Sequence, residues 1–180
     1  MATKKLFLEN YLFRGGHAAK VRELLKEVDK ETSAKLFNSA IELFMISAVI
    51  GCINNKRSIP EISNDTFNIF AEQFSNHGAT LRYLLKLVLL VSDSKDLNNI
   101  DRINRAFREI ENEDNVNLFE EYVLGGLEEI HSHFFEGNKR LFYDDFYSAL
   151  KIFVSDYNKL ENDNLDEFDD DELLEDILRN

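Results

Sequence analysis

The densest group of chemically capable residues is Glu128-Glu129-Ile130-His131-Ser132-His133. Glu128 and His131 stand in Glu-x-x-His spacing, which puts both side chains on one face of a helix. A carboxylate and an imidazole so placed can share a metal. A di-iron bundle, however, needs two such motifs and two further glutamates. One is present, so a solvated polar face is expected and no metal site is assigned. His17 and His77 each stand beside a glycine, with no carboxylate at helical spacing. Arg102, Arg105 and Arg108 recur every three residues and span about 120° of a helix. With Lys56-Arg57, or with Arg14 and Lys20, they form a candidate phosphate-contacting patch. The interleaved Asp101, Glu109 and Glu111 favour salt bridging instead. Ser-His-Asp, Cys-His, P-loop and dinucleotide patterns are missing. No catalytic residue is assigned, and no cofactor is expected.

The elements that must position these residues are helical. Leu43–Ile53, LFMISAVIGCI, is apolar almost all the way round. Its 11 residues fall short of the roughly 20 that span a bilayer. A helix apolar on every face is the buried centre of a domain. A central helix over about 39–53 is therefore expected, capped by Asn38-Ser39 and ended by Asn54-Asn55. Residues 5–13 read as a packed arm. Helices are expected over 16–29, 33–37, from Asp65 or Thr66 to Asn76, 79–92, 99–112, 115–136 and 141–159. In the helix over 79–92 only Arg82 and Lys86 mark a wet edge. In the helix over 99–112, Ile100, Ile103, Phe107 and Ile110 are expected to face inward. Gly125-Gly126 inside the sixth helix points to close helix contact. No hairpin signal is visible. The expected fold is all-α: one compact domain, residues 1–160, of six to seven helices around the central one, plus an acidic tail, 161–180.

Composition supports this. The chain has 180 residues, 44% apolar, with one proline and seven glycines, which suits long uninterrupted helices. The net charge is −13, and the tail carries ten acids against one base. Sequence-independent nucleic-acid binding by the whole surface is disfavoured, since phosphates need net positive contact. The single cysteine, Cys52, rules out an internal disulfide and suits core packing. Neither a signal peptide nor a transmembrane segment is visible, so the cytoplasm is the expected compartment. Within the tail, Phe168, Leu173, Leu174, Ile177 and Leu178 lie among acids, the last four at i, i+1, i+4, i+5. Such a stripe suits an amphipathic helix docking in a partner's groove, and these five are the candidate partner-binding residues.

Ser132-His133-Phe134-Phe135-Glu136-Gly137-Asn138-Lys139-Arg140 resembles the loop of the Fic nucleotidyl transferases. The resemblance implies magnesium at Glu136 and phosphates cradled by Asn138, Lys139 and Arg140. Ser132 stands where the family has its catalytic histidine, and position 143 is tyrosine instead of the second arginine. A second resemblance is spread over residues 6–130. It includes Phe13-Arg14-Gly15-Gly16-His17-Ala18, the helix around Leu43–Gly51 with Arg57, Arg105-Ala106-Phe107-Arg108, and Phe119 with Tyr122-Val123-Leu124-Gly125-Gly126. These look like small helical proteins associated with prokaryotic DNA-modification and anti-phage defence islands. That implies a non-catalytic subunit working beside larger nucleases or ATPases. The leading reading is such an interaction subunit, with protein partners, no membrane and an open oligomeric state. The alternatives are a degenerate Fic-type nucleotide-binding protein and a nucleic-acid-binding helper using the arginine face.

Overall fold

The computed structural model describes residues 7–29, 33–92, 98–110, 112–135, 148, 150–156 and 158. The chain divides into two units, Met1–Lys139 and Arg140–Asn180. The first contains β1 (Tyr11–Arg14), α1 (Gly16–Leu24), β2 (Glu27–Asp29), β3 (Ala34–Lys35), α2 (Ala40–Ile53), β4 (Thr66–Ile69), α3 (Ala71–Asn76), α4 (Gly78–Val91), α5 (Asn99–Phe107) and α6 (Glu113–Phe135). In the second, the described residues are helical.

Helix α2 is the centre. Ser39 caps it, its hydroxyl accepting from the Glu42 N–H at 3.3 Å, while the Glu42 carboxylate accepts from the Asn38 N–H at 3.1 Å. This reciprocal arrangement satisfies two otherwise orphan donors. At the other end Asn55 takes a positive φ of 46°. The Asn55 N–H then reaches the Cys52 carbonyl and the Lys56 N–H reaches the Gly51 carbonyl, a Schellman motif. The helix is buried along Ala40, Ile41, Leu43, Phe44, Ser47, Ala48, Ile50 and Gly51. Cys52 is half-buried, and burial pushes its thiol pKa up, as suits an inert packing residue. Phe44 is the aromatic hub, with Tyr11, Phe13, Phe74 and Phe119 rings centred 5.2–6.2 Å away.

Helix α6 crosses α2 at small residues. A Cβ on Gly126 would lie 1.9 Å from the Ser47 carbonyl oxygen, and one on Gly51 2.0 Å from the Tyr122 carbonyl oxygen. Only glycine lets the two backbones approach so closely. The Lys56 carbonyl lies against Gly125 in the same way, which lays the loop after α2 along α6.

The fold is mostly helical but not all-α, because four short strands form two small sheets. β1 pairs antiparallel with β4 in the register Tyr11↔Ile69, Leu12↔Asn68, Phe13↔Phe67, Arg14↔Thr66. The segment expected as a packed arm is thus partly a strand, and the helix expected from Asp65 or Thr66 begins only at Ala71. Pairing places Phe13 and Ile69 in the core, and Thr and Ile at the ends of β4 favour extended backbone. The Tyr11 hydroxyl bonds the Glu120 carboxylate; burial first, and that charge second, hold its phenol well above the ordinary tyrosine range. The expected helix over 33–37 is instead β3, paired with β2, which also ends α1 at Leu24 and not near residue 29.

Helix α5 reverses its expected orientation. Ala106 is its fully buried residue, while Ile100, Ile103 and Phe107 are exposed. The helix packs on α4 with the small Ala106 buried and the larger row left outside. Helix α4 is also wetter than expected, with Tyr83, Leu87 and Val91 exposed beside Arg82. Among the described residues, no helix is long and apolar enough to cross a membrane.

Arg22 on α1 clamps the start of β4. Its guanidinium bonds both Asp65 carboxylate oxygens and the Thr66 carbonyl. The Arg22 hydrogen bond holds the Asp65 carboxyl below its usual range. A carboxylate with a depressed folded pKa stabilises at neutral pH and loses that contribution as pH falls below about 4. Asp65→Asn, which has no carboxylate to protonate, is therefore expected to be less stable than wild type at neutral pH, as read by denaturant unfolding followed by circular dichroism. The difference in stability between the two proteins should shrink as pH falls. A constant difference from pH 7 downward would mean that Asp65 is not linked to folding.

Candidate functional site

The most connected polar group lies where the start of α1, the loop 54–65 and α6 meet. Gly15 precedes α1 with φ +59°, and its N–H donates to the Asp65 carbonyl. A Cβ there would lie 2.0 Å from Glu61 Oε2 in a backbone conformation that side chains disfavour. The Gly16 N–H donates to the same Glu61 oxygen at 2.8 Å. This turn drives His17 inward, where it is 1% exposed.

His17 stands between two carboxylates. Its Nε2 is 3.0 Å from Glu128 Oε1, and its Nδ1 is 3.5 Å from Glu61 Oε1. Ser58 Oγ donates to Glu128 Oε1 at 2.9 Å and lies 3.4 Å from His17 Nε2. The Ser58 N–H is held by the Glu121 carbonyl, which fixes the loop on α6.

Serine, histidine and two glutamates are the residue types of a hydrolytic triad, but the wiring differs. A carboxylate oxygen at 3.0 Å favours the tautomer with the proton on Nε2. Nε2 then has no lone pair with which to deprotonate Ser58, whose own proton goes to Glu128. A serine nucleophile needs a base with that lone pair turned toward it. As arranged, the group is a clamp: Nε2 of the buried imidazole joins α1 to Glu128 on α6 and Ser58 of the loop, while its Nδ1 is buried without a hydrogen-bond partner.

A second His–Glu pair runs the opposite way between the same helices. His131 Nε2 on α6 is 2.6 Å from Glu23 Oε2 on α1, and the His131 ring stacks on Phe135. Beside it opens a cavity of about 450 Å³ lined by Lys20, Lys56, Glu128, His131, Ser132 and Phe135. Lys56 Nζ is paired with Glu129 Oε2 at 2.7 Å. Glu23, Glu128 and Glu129 thus offset the two lysines, and the positive excess that a phosphate site needs is missing.

The residues singled out by sequence are placed as follows. Glu128 and His131 do share a face of α6, but α1 covers it, so it is not the expected solvated face. Among the described residues, no group of three or more His, Cys, Asp or Glu is placed to hold a metal. Arg105 turns inward, its Nε donating to the buried Asn115 Oδ1 at 2.7 Å. Desolvation, with Arg57 nearby as a further cause, lowers the Arg105 pKa from its ordinary value. Arg57 also faces Glu121 Oε2 at 3.3 Å, and Arg14 donates to the Ser63 carbonyl. Arg102 is half-buried and Arg108 is exposed just beyond α5. The structure brings Arg105 and Arg57 together but points Arg105 at Asn115. Asn138, Lys139 and Arg140 of the Fic-like loop lie outside the described residues, as do Phe168, Leu173, Leu174, Ile177 and Leu178 of the tail. Sequence reasoning missed Ser58 and Glu61 and left His17 unpartnered. The available signal was Gly15-Gly16, a turn that only glycine can make directly before a histidine.

The diffuse resemblance across residues 6–130 has a counterpart in comparison with known proteins. No curated protein and no solved structure matches the chain. One family model, described as DNA sulphur modification system-associated protein 4, matches residues 16–170. That span starts at the second glycine of the turn and includes the His17 clamp and both central helices, and the chain belongs to the DNA sulphur modification system-associated protein 4 family.

Proposed function

We propose that this chain is a non-catalytic interaction subunit of a multi-protein assembly in a DNA sulphur modification system, serving prokaryotic anti-phage defence. The observation that carries this reading is the outer face of α4 and α5. Tyr83, Leu87, Val91, Ile100, Ile103 and Phe107 are each 37–70% exposed. Large apolar groups gathered on a surface mark contact with another molecule. The family description, which names an associated protein, supports the same reading. So does the wiring of Ser58, His17 and Glu128, which spends reactive groups on tying helices together.

Co-expression of the full chain with the other proteins of its system tests this. Co-elution with at least one of them in size-exclusion chromatography is expected. Elution alone in the presence of all of them overturns the reading. So does magnesium-dependent transfer of label from ATP to protein, which would favour the Fic-type alternative.

A further inference from the structure

Resting on that reading, we propose that the α4–α5 face receives an acidic amphipathic helix of the partner protein. The two helices pack on each other, and Lys86 Nζ lies 5.1 Å over the Phe107 ring. Residue 86 of one helix is thus level with residue 107 of the other. The Lys86–Phe107 contact, with only residues 92–98 between the helices, fits an antiparallel pair. In that register Phe107 falls level with the Tyr83–Leu87 turn of α4, and Ile103 and Ile100 lie toward its Val91 end. Residues 83, 87 and 91 recur every fourth position, so they form one row along α4. Residues 100, 103 and 107 form the matching row along α5. Two parallel apolar rows leave a shallow trough between them. A helix with anchors at i, i+3 or i+4, and i+7 fits such a trough.

Charge selects the partner. With Arg105 turned inward, residues 78–92 and 98–110 still carry Arg82, Lys86, Arg102 and Arg108 against Asp101 and Glu109, in a chain whose net charge is −13. Arg82, Lys86 and Arg108 gather at the Phe107 end of the trough. A partner helix with acids flanking its apolar stripe meets both features. A second copy of this chain would set basic rim against basic rim. Duplex DNA would meet a centre of six largely apolar side chains, with only the Tyr83 hydroxyl to offer phosphate oxygens.

The test uses the full chain and the protein that co-elutes with it. Leu87→Glu with Ile103→Glu is expected to weaken binding about 100-fold or more, as for loss of central apolar anchors. Both residues are exposed, so the unfolding temperature should stay unchanged. Arg82→Glu with Arg108→Glu is expected to weaken binding about 10-fold at low salt, with the difference fading at about 1 M salt. A photo-crosslinker replacing Leu87 should attach to an acidic, apolar-striped helix of the partner. Undiminished binding by the Leu87/Ile103 variant overturns this docking surface while leaving the subunit role standing. Absence of any co-eluting protein overturns both. Three other results also overturn the helix proposal: a crosslink to a second copy of the chain, a variant-sensitive dimer in light scattering, or displacement of the partner by duplex DNA.

Discussion

Gly126→Ala is expected to lower the unfolding temperature by about 10 °C. The added Cβ would sit 1.9 Å from the Ser47 carbonyl oxygen and 2.6 Å from the Gly51 nitrogen. Both are backbone atoms of α2, so no rotamer change relieves the clash. Helix α6 must move away from α2, and α2 is the helix on which Phe44 gathers the aromatic core. Parting the two costs about 3 kcal/mol, the upper end for overpacking. A domain stable by about 5–15 kcal/mol loses a large share of its margin. Gly78→Ala is the contrasting control. Nothing lies within 4 Å of a Cβ at Gly78, which opens α4. There the smaller backbone entropy of alanine is expected to add up to about 1 kcal/mol. Thermal melts of both variants decide the matter. A Gly126→Ala protein that melts with wild type would mean that the helix crossing is looser than these distances state.

What the sequence revealed followed local information. Helix α2 was legible because LFMISAVIGCI is apolar almost all the way round and Asn38-Ser39 offers a cap at its start. Helices α4 and α6 were legible from long apolar runs. The β1–β4 pairing was not, because it joins residues 11–14 to 66–69 and neither segment alternates cleanly. Helix α5 exposes a different limit. Ile100, Ile103 and Phe107 fall on one face by spacing, and spacing alone assigns a large apolar face inward. Instead the small Ala106 is the buried residue of α5, which packs on α4. The surface that carries the proposed function was therefore read correctly as a row and wrongly as core. The polar group failed for a related reason. Glu128 and His131 show their shared face in the sequence, but the partners that cover it, His17 and Glu23, lie more than 100 residues earlier.

His17 is where that long-range wiring can be measured. His17→Ala is expected to destabilise the protein by about 2 kcal/mol. The value lies between the 3–5 kcal/mol or so for breaking a fully buried pair and the roughly 0–1 kcal/mol of a surface pair. The imidazole is buried, but the Glu128 and Glu61 side chains are 32% and 44% exposed, so water takes over part of their solvation. Removing the ring leaves both carboxylates facing an emptied site, with Ser58 the remaining donor to Glu128. In a double-mutant cycle, Glu128→Gln should cost less in the His17→Ala background than in wild type. Gly15→Ala should resemble His17→Ala in the same assay, because its Cβ pushes Glu61 away from the turn. Additive effects of His17→Ala and Glu128→Gln would show that the two residues act separately. In that case the segments at α1, the loop and α6 would be held by the Gly15 and Ser58 backbone bonds and by apolar packing, and the polar group would be open to another role.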